Sequence, residues 1–423
     1  GLARDRDRLV ASFGVWDREA YLAELPLADG LALLRPFAPP TLAAAEPTVH
    51  VVPEVVSEQA LDGFTPFPSA PLRLVSVTLA GNGNAAIIGD ALRSVVNWVD
   101  ACIVLDTGIA DDTLEAARAV AGDKLVVRSF PWIDDFAAAR NAALEAAAAW
   151  GAAWAAILDT DERIDLRDVD IRAALTAAEA DVLLVAHDGG TYAKERFFRL
   201  PARGRFHGPT HEAFLANGPR AELAGPVFRE EPKSADGYRR KAERDIAILT
   251  RHTADHPDDP RWFYYLGDAL ANLQRQDEAI AAFERCWALK GWDEEGAWAM
   301  YRAAKCWLEL GERDRAIEAC AAGMARHAGL AELPWLAAFA SWQAGRDAQA
   351  VYWARLAAAM GLAFGEGAAV PRFGFRHPPA LYEGPYDVLR YALRRMGDAA
   401  GADAAETRYQ QALAMRIGRA APA

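Results

Sequence analysis

Paired cysteines are missing from this chain. Its four thiols, Cys102, Cys286, Cys306 and Cys320, lack the spacing of metal-ligand pairs, and three of them fall where the pattern reads as helix faces. Buried free thiols in a reducing compartment are therefore expected. Positive charge is also short. With 46 Lys and Arg against 59 Asp and Glu, the formal charge is -13, and the basic footprint that a phosphate backbone requires is lacking. Nucleic acid is not expected as a partner. Long apolar runs are absent as well: the longest, Ala146 to Leu158, is thirteen residues of mostly alanine, where a bilayer needs about 20. The opening stretch GLARDRDRLVASFGVWDREA is charged and has no apolar core ahead of a cleavage site. No transmembrane segment is expected, and a cytoplasmic location is.

What is present is enough sequence for more than one core, since 423 residues exceed an ordinary single domain. Residues 1–70 have an amphipathic start and then proline at a density that breaks helices and central strands, and they read as an N-terminal extension of unassigned role. From Leu72 the pattern alternates. LRLVSVTLA, ACIVLDTG, KLVVRSF and AAWAAILDTDE read as strands, and IIGDALRSVVNWV, DDTLEAARAVAG and DDFAAARNAALEAAAAWG as helices between them. Such alternation predicts a mostly parallel sheet covered on both faces, an α/β domain over residues 71–232. Ligands of open parallel sheets bind beyond the carboxyl ends of the strands, where Asp106 and the acids after Leu158 fall.

After Pro232 the strand signals stop, and residues 233–423 read as all-α. DDPRWFYYLGDALANLQRQDEAIAAFERCWALKG has Leu266, Gly267, Ala279 and Phe283 at the packing positions of a tetratricopeptide unit. Ala316 and Ala350 repeat the Ala279 context 37 and then 34 residues on. Residues 258–361 thus read as three stacked helical hairpins, with a closing helix pair beyond them.

The chemistry concentrates in AAWAAILDTDERID, residues 152–165. Asp159, Asp161 and Glu162 crowd the end of a strand with only Thr160 among them. Carboxylates that close repel unless something positive sits between them. Asp159 and Asp161 can share one small volume and hold Mg2+ or Mn2+, which keeps open positions for phosphate oxygens. Upstream, Arg140 follows Asp134 and Asp135 by six and five residues, out of register with both, which leaves it able to reach the sheet edge. A planar guanidinium there suits a diphosphate.

The ordered set LVSVTLAGN, IVLDTG, FPWIDDFAAARN, ILDTDE and RFFRLPARGRFHGPTHEAF resembles the family 2 glycosyltransferases of GT-A fold, a Rossmann-like nucleotide-diphospho-sugar transferase fold. More narrowly it is similar to the bacterial branch that carries tetratricopeptide helices after the catalytic domain and includes peptide S-glycosyltransferases. The resemblance implies a hexosyltransferase-like enzyme that moves a sugar, with inversion, from a nucleotide-sugar donor, a UDP-sugar first, to an acceptor such as a peptide or protein held by the helical repeats. It implies that the main chain of Val77, Thr78 and Leu79 flanks the base, that Asp106 contacts base or ribose, and that Arg140 lies near the diphosphate. It also implies that Asp159, with Thr160, meets ribose or donor sugar, and that Asp161 and His211 bind Mn2+ or Mg2+. For the general base the candidates are Glu212 first, then Asp188 and Glu195. One departure is plain: the first strand runs on into Ala80-Gly81-Asn82-Gly83-Asn84, uncharged and expected to be flexible, where the family usually has a basic residue, Asn and two acids.

Two other classes compete. Stacked hairpins form a groove that can bind proteins or join copies of this chain into a homo-oligomer, so a tetratricopeptide-type scaffold with a degenerate catalytic domain is the alternative. A nucleotidyltransferase ranks last, because AGNGN offers its phosphates no Lys or Arg.

Overall fold

The computed structural model describes residues 2–5, 8–15, 19–26, 72–190, 192–232, 234–364 and 374–420. The chain divides after Arg73 into two units. In the first, β1 (Leu2–Asp5), β2 (Arg8–Val15) and β3 (Glu19–Pro26) form an antiparallel sheet in that order. Leu2 lies opposite Ala11, and Arg8 opposite Pro26. Sequence patterning finds no strand here, and the proline-rich stretch it singles out lies outside the described residues.

The second unit begins with the expected alternation. β4 (Leu74–Ala80), β5 (Ala101–Asp106), β6 (Leu125–Ser129) and β7 (Trp154–Ile157) are parallel neighbours in the order β6-β5-β4-β7. The interior strands β4, β5 and β7 are almost wholly buried, which is why they read as continuous apolar runs. Helices α1 (Ala85–Val95), α2 (Thr113–Ala121) and α3 (Phe136–Trp150) connect them. α1 buries Ile88, Leu92 and Val95, a stripe at helical spacing. α3 starts at Asp135, whose side chain accepts the Ala138 N–H, and stops at Gly151, where φ of 91° suits a residue without Cβ.

Beyond β7 the sheet departs from the mostly parallel expectation. β8 (Glu162–Asp165), the short helix α4 (Ile171–Ala177), β9 (Val182–His187), β10 (Ala193–Arg199), β11 (Gly204–His207), β12 (Ala213–Ala216) and β13 (Arg220–Glu230) follow. β10 inserts antiparallel between β7 and β9, β13 pairs parallel with β9, and β8 closes the far edge antiparallel to β13. The eight-stranded sheet is therefore mixed, in the order β6-β5-β4-β7-β10-β9-β13-β8. The cause lies in the connections: hairpin-like links need no crossover helix, and chain that lacks a helix between strands reverses direction. β11 and β12 make a separate ribbon whose Phe206 and Phe214 pack with Phe198 at centroid distances of 5.6 and 4.9 Å.

Helices make up the rest of the described chain. α5 (Ala235–Asp255), capped by Ser234, precedes three hairpins: α6 (Pro260–Asn272) with α7 (Gln276–Ala288), α8 (Asp293–Glu309) with α9 (Arg313–Arg326), and α10 (Glu332–Gln343) with α11 (Asp347–Met360). A single turn, α12 (Pro378–Leu381), leads to the closing pair α13 (Gly384–Arg395) and α14 (Ala399–Ala420). The period anchors Ala279, Ala316 and Ala350 are all fully buried, as small residues at helix crossings must be. Gly267 is the tightest crossing of the first hairpin, since a Cβ there would lie 2.7 Å from the Phe283 ring. Gly267→Val should destabilise the fold by about 1–3 kcal/mol in urea unfolding, the usual cost of overpacking. An unchanged midpoint would show that the crossing can open. All four cysteines are buried and free. No described helix is long and apolar enough to cross a membrane.

Candidate functional site

Strand direction gathers the site. β4 to β7 end at one edge of the sheet, β9 and β13 end there too, and β8 and β10 begin there. Acids from the end of β7 and the start of β8 therefore meet cations from α3 and β10.

Arg140 is the hub. Its Nε donates to Glu212, and one terminal nitrogen lies 3.0 Å from Asp159 Oδ1. All three side chains are largely covered, with 12, 13 and 30% exposure for Arg140, Glu212 and Asp159. Burial works against the guanidinium's charge, yet Asp159 and Glu212 more than offset it and hold Arg140 firmly protonated. Burial likewise pulls the Asp159 carboxyl upward, but Arg140 and then Arg196 outweigh it, leaving this carboxyl well below the usual range.

The sequence FPWIDDFAAARN explains how Arg140 is aimed. Asp134 leaves the helix altogether: φ of 59° turns it out, and its carboxylate accepts from Trp132 Nε1 and from Arg251 of α5. Asp135 caps α3. Asn141 clamps β11 by donating to the Phe206 carbonyl and accepting its N–H, at 3.0 and 2.9 Å. Phe136 N–H donates to Pro209. With the 204–212 segment fixed against α3 in this way, Glu212 is brought to Arg140.

A second layer supports the Asp159 turn. Glu162, 1% exposed, accepts the Asp159 N–H and is paired with Arg196, with Lys194 3.4 Å away. Lys194 also pairs with Glu230 and lies 5.3 Å from the centre of the Phe228 ring. The positive partners that the acid cluster demands are thus Arg140, Arg196 and Lys194 of the protein itself. Sequence reasoning missed the last two, although cations at i and i+2 on one strand are a signal that they share a face.

The remaining predicted residues fall as follows. Asp106 ends β5, and its Oδ1 accepts the N–H groups of Gly108 and Ile109 at 2.9 and 2.7 Å, which shapes the turn. Val77 and Thr78 are buried, so only their main chain can meet a ligand, and the Val77 carbonyl already takes the Leu158 N–H. Leu79 packs into the sheet core. The Thr160 carbonyl accepts from Arg163. Asp161 follows in the turn, its carbonyl bonded to the Glu231 N–H. His211, at φ 51°, stacks on Tyr265 of α6 with ring centroids 4.4 Å apart. The residue is exposed, while crowding of its ring by the surrounding chain, with Lys241 second, favours the neutral imidazole. Asp188 follows β9 at the same sheet edge and pairs with Arg167, whereas Glu195 pairs with Arg220. The structure brings Arg140, Asp159 and Glu212 into contact and engages Asp188 and Glu195 in separate ion pairs. The AGNGN loop is pinned, not loose: Asn82 accepts the Ala110 N–H, and Gly83 N–H donates to Asp111.

Among the described residues no group of three or more His, Cys, Asp or Glu is placed to hold a metal ion. Mg2+-like ions commonly take one or two carboxylates and fill the other positions from water and substrate phosphate. Asp161, in the turn beyond β7, adds one acidic residue to the sheet edge where the strands end.

Residues 78–247 match the family model described as Glycosyl transferase family 2. A TPR repeat-containing protein of Synechococcus elongatus is 32% identical over 244 residues, 53% of this chain and 58% of that protein. The SPbeta prophage-derived glycosyltransferase SunS of Bacillus subtilis is 24% identical over 207 residues, 46% of this chain and 48% of that protein. The chain spans about half the length of the curated relatives it matches. The solved structure of MamA aligns over 45% of this chain and 98% of its own at 14% identity, with a TM-score of 0.33. Residues 78–247, with the arginine-centred site inside them, therefore hold a glycosyl transferase family 2 domain.

Proposed function

We propose that this chain transfers a sugar, with inversion, from a nucleotide-diphosphate donor to an acceptor that is a peptide or protein. The observation that carries this is Arg140, a cation bridging Asp159 and Glu212 at the carboxyl edge of the sheet, within the stretch that matches the transferase family. As the bond from the sugar carbon to the diphosphate breaks, its electron pair leaves with the diphosphate, and a guanidinium fixed in advance stabilises that charge without reorganising. Asp106 and the main chain of β4 would position the nucleoside, and Asp159 with Thr160 the ribose or sugar. The acceptor's proton goes to a carboxylate: Glu212 stands nearest to Arg140, with Asp188 at the same edge and Glu195 behind them. Mn2+ or Mg2+, when bound, supplies further positive charge to the diphosphate, and Asp161 with His211 would hold it.

A scaffold without turnover is favoured by one feature, the commitment of the Asn82 and Asn84 side chains to main-chain N–H groups, those of Ala110 and Gly81 respectively. Calorimetric titration with UDP and GDP, with and without Mn2+, separates the two. Binding strengthened by Mn2+ supports the transferase, and no heat with either nucleotide rejects it.

A further inference from the structure

The described chain resumes after α11 with Gly374-Phe375-Arg376-His377, which crosses the first helices of all three hairpins. The Phe375 ring lies parallel to Trp298 of α8, 5.5 Å away at 16°, with Trp292 5.5 Å and Tyr264 of α6 5.3 Å from it. His377 stacks on Trp335 of α10 at 5.0 Å. The main chain is held as well. Gly374 and Phe375 N–H donate to Glu294 Oε1 at 3.1 and 3.3 Å, and His377 N–H to Glu332 Oε1 at 3.0 Å. Glu294 and Glu332, in the first turns of α8 and α10, are 1 and 0% exposed.

Burying two carboxylates is costly unless each is hydrogen-bonded. Here they accept main-chain N–H groups, a chemistry any non-proline residue supplies. Ring side chains two residues apart point the same way from an extended segment and enter neighbouring aromatic pockets. The selective features are thus a main chain with donors at three positions and rings at i and i+2.

We propose that this face is a peptide-binding groove whose resident ligand is the chain's own Gly374–His377, and that an extended peptide with two ring side chains separated by one residue displaces it. The inference rests on the helical hairpins alone and is independent of glycosyl transfer.

The test uses the full chain and a labelled synthetic peptide RFGFRHPP, the sequence of residues 372–379. Tethered to its groove, the resident segment competes at an effective concentration on the order of millimolar. The unchanged protein should therefore bind the added peptide at least about 10-fold more weakly than the Phe375→Ala/His377→Ala variant does. Peptide N-methylated at the position of His377 should lose about 10-fold or more in affinity for the variant, because the donor to Glu332 is gone. Equal binding by both proteins, or undiminished binding of the methylated peptide, overturns the proposal. Should the variant fail to melt cooperatively, hydrogen exchange on the unchanged chain decides: excess peptide must accelerate exchange at the Phe375 and His377 amides and leave β4 and β5 unaltered. Unaltered exchange at millimolar peptide sinks it.

Discussion

Arg140→Met is expected to cost about 3 kcal/mol or more of unfolding free energy at pH 7, as measured in urea. Methionine fills much of the same volume but leaves Asp159 and Glu212 facing each other without a cation, and removing one member of a buried ion pair typically costs about 3–5 kcal/mol. The 30% exposure of Asp159 places the expectation at the lower end. The sign with pH follows from Asp159. Burial raises its pKa, Arg140 and Arg196 lower it further, and the folded carboxyl ends below the unfolded value of about 3.9. A depressed folded pKa contributes stability that is present above the unfolded pKa and lost as pH falls through the folded one. In the unchanged protein this contribution should hold from neutral pH down to about 4. In the variant Asp159 has lost its main counter-charge and takes up a proton more readily, so the deficit should be largest near neutrality and narrow in acid. A deficit under about 1 kcal/mol, or one that widens in acid, would contradict the bridge.

Asp161→Ala should behave oppositely. Donor hydrolysis in the presence of Mn2+ is expected to fall by about 100-fold or more, the scale on which loss of one preorganised charge-stabilising contact is felt. The urea midpoint is expected to move less than in Arg140→Met, where a guanidinium that bridges two carboxylates is lost. The contrast is diagnostic: Arg140 joins structure and charge, whereas the role proposed for Asp161 is in the reaction. Turnover unaffected by Asp161→Ala would falsify that assignment, and a collapsed midpoint would move Asp161 into the scaffold.

The parallel half of the sheet was legible because β4, β5 and β7 are buried on both faces and so read as apolar runs. The repeat was legible because helix crossings admit only small residues, and Ala279, Ala316 and Ala350 mark them at near-constant spacing. What escaped were strands whose side chains serve electrostatics. β8 and β10, ERID and AKERFFR, carry Glu162, Lys194 and Arg196 where an alternation test wants apolar residues. Their charges satisfy one another only after the sheet has formed. Asp159 and Arg140 were each picked out from local motifs, but the contact between them depends on β7 lying next to β4 and on Asn141 anchoring the 204–212 segment. Glu212 was singled out as a base, and its engagement with Arg140 is a tertiary event that no spacing announces. Nor did local pattern show that Gly374–His377, past the third hairpin, would fold back over all three.

The order of the sheet also bears on how the protein behaves when crowded with copies of itself. The outermost strands of the eight-stranded sheet are β6 and β8, and both are poor templates for recruiting a foreign strand. β8 has only four residues, of which Arg163 and Asp165 are the charged ones not fully buried, and β6 has five and turns Arg128 outward. Short, charged borders of this kind resist the stacking that leads to fibrils, while the long apolar strands are sealed on both sides by neighbours. The same far strand that guards this border also supplies Glu162 to the Asp159 turn.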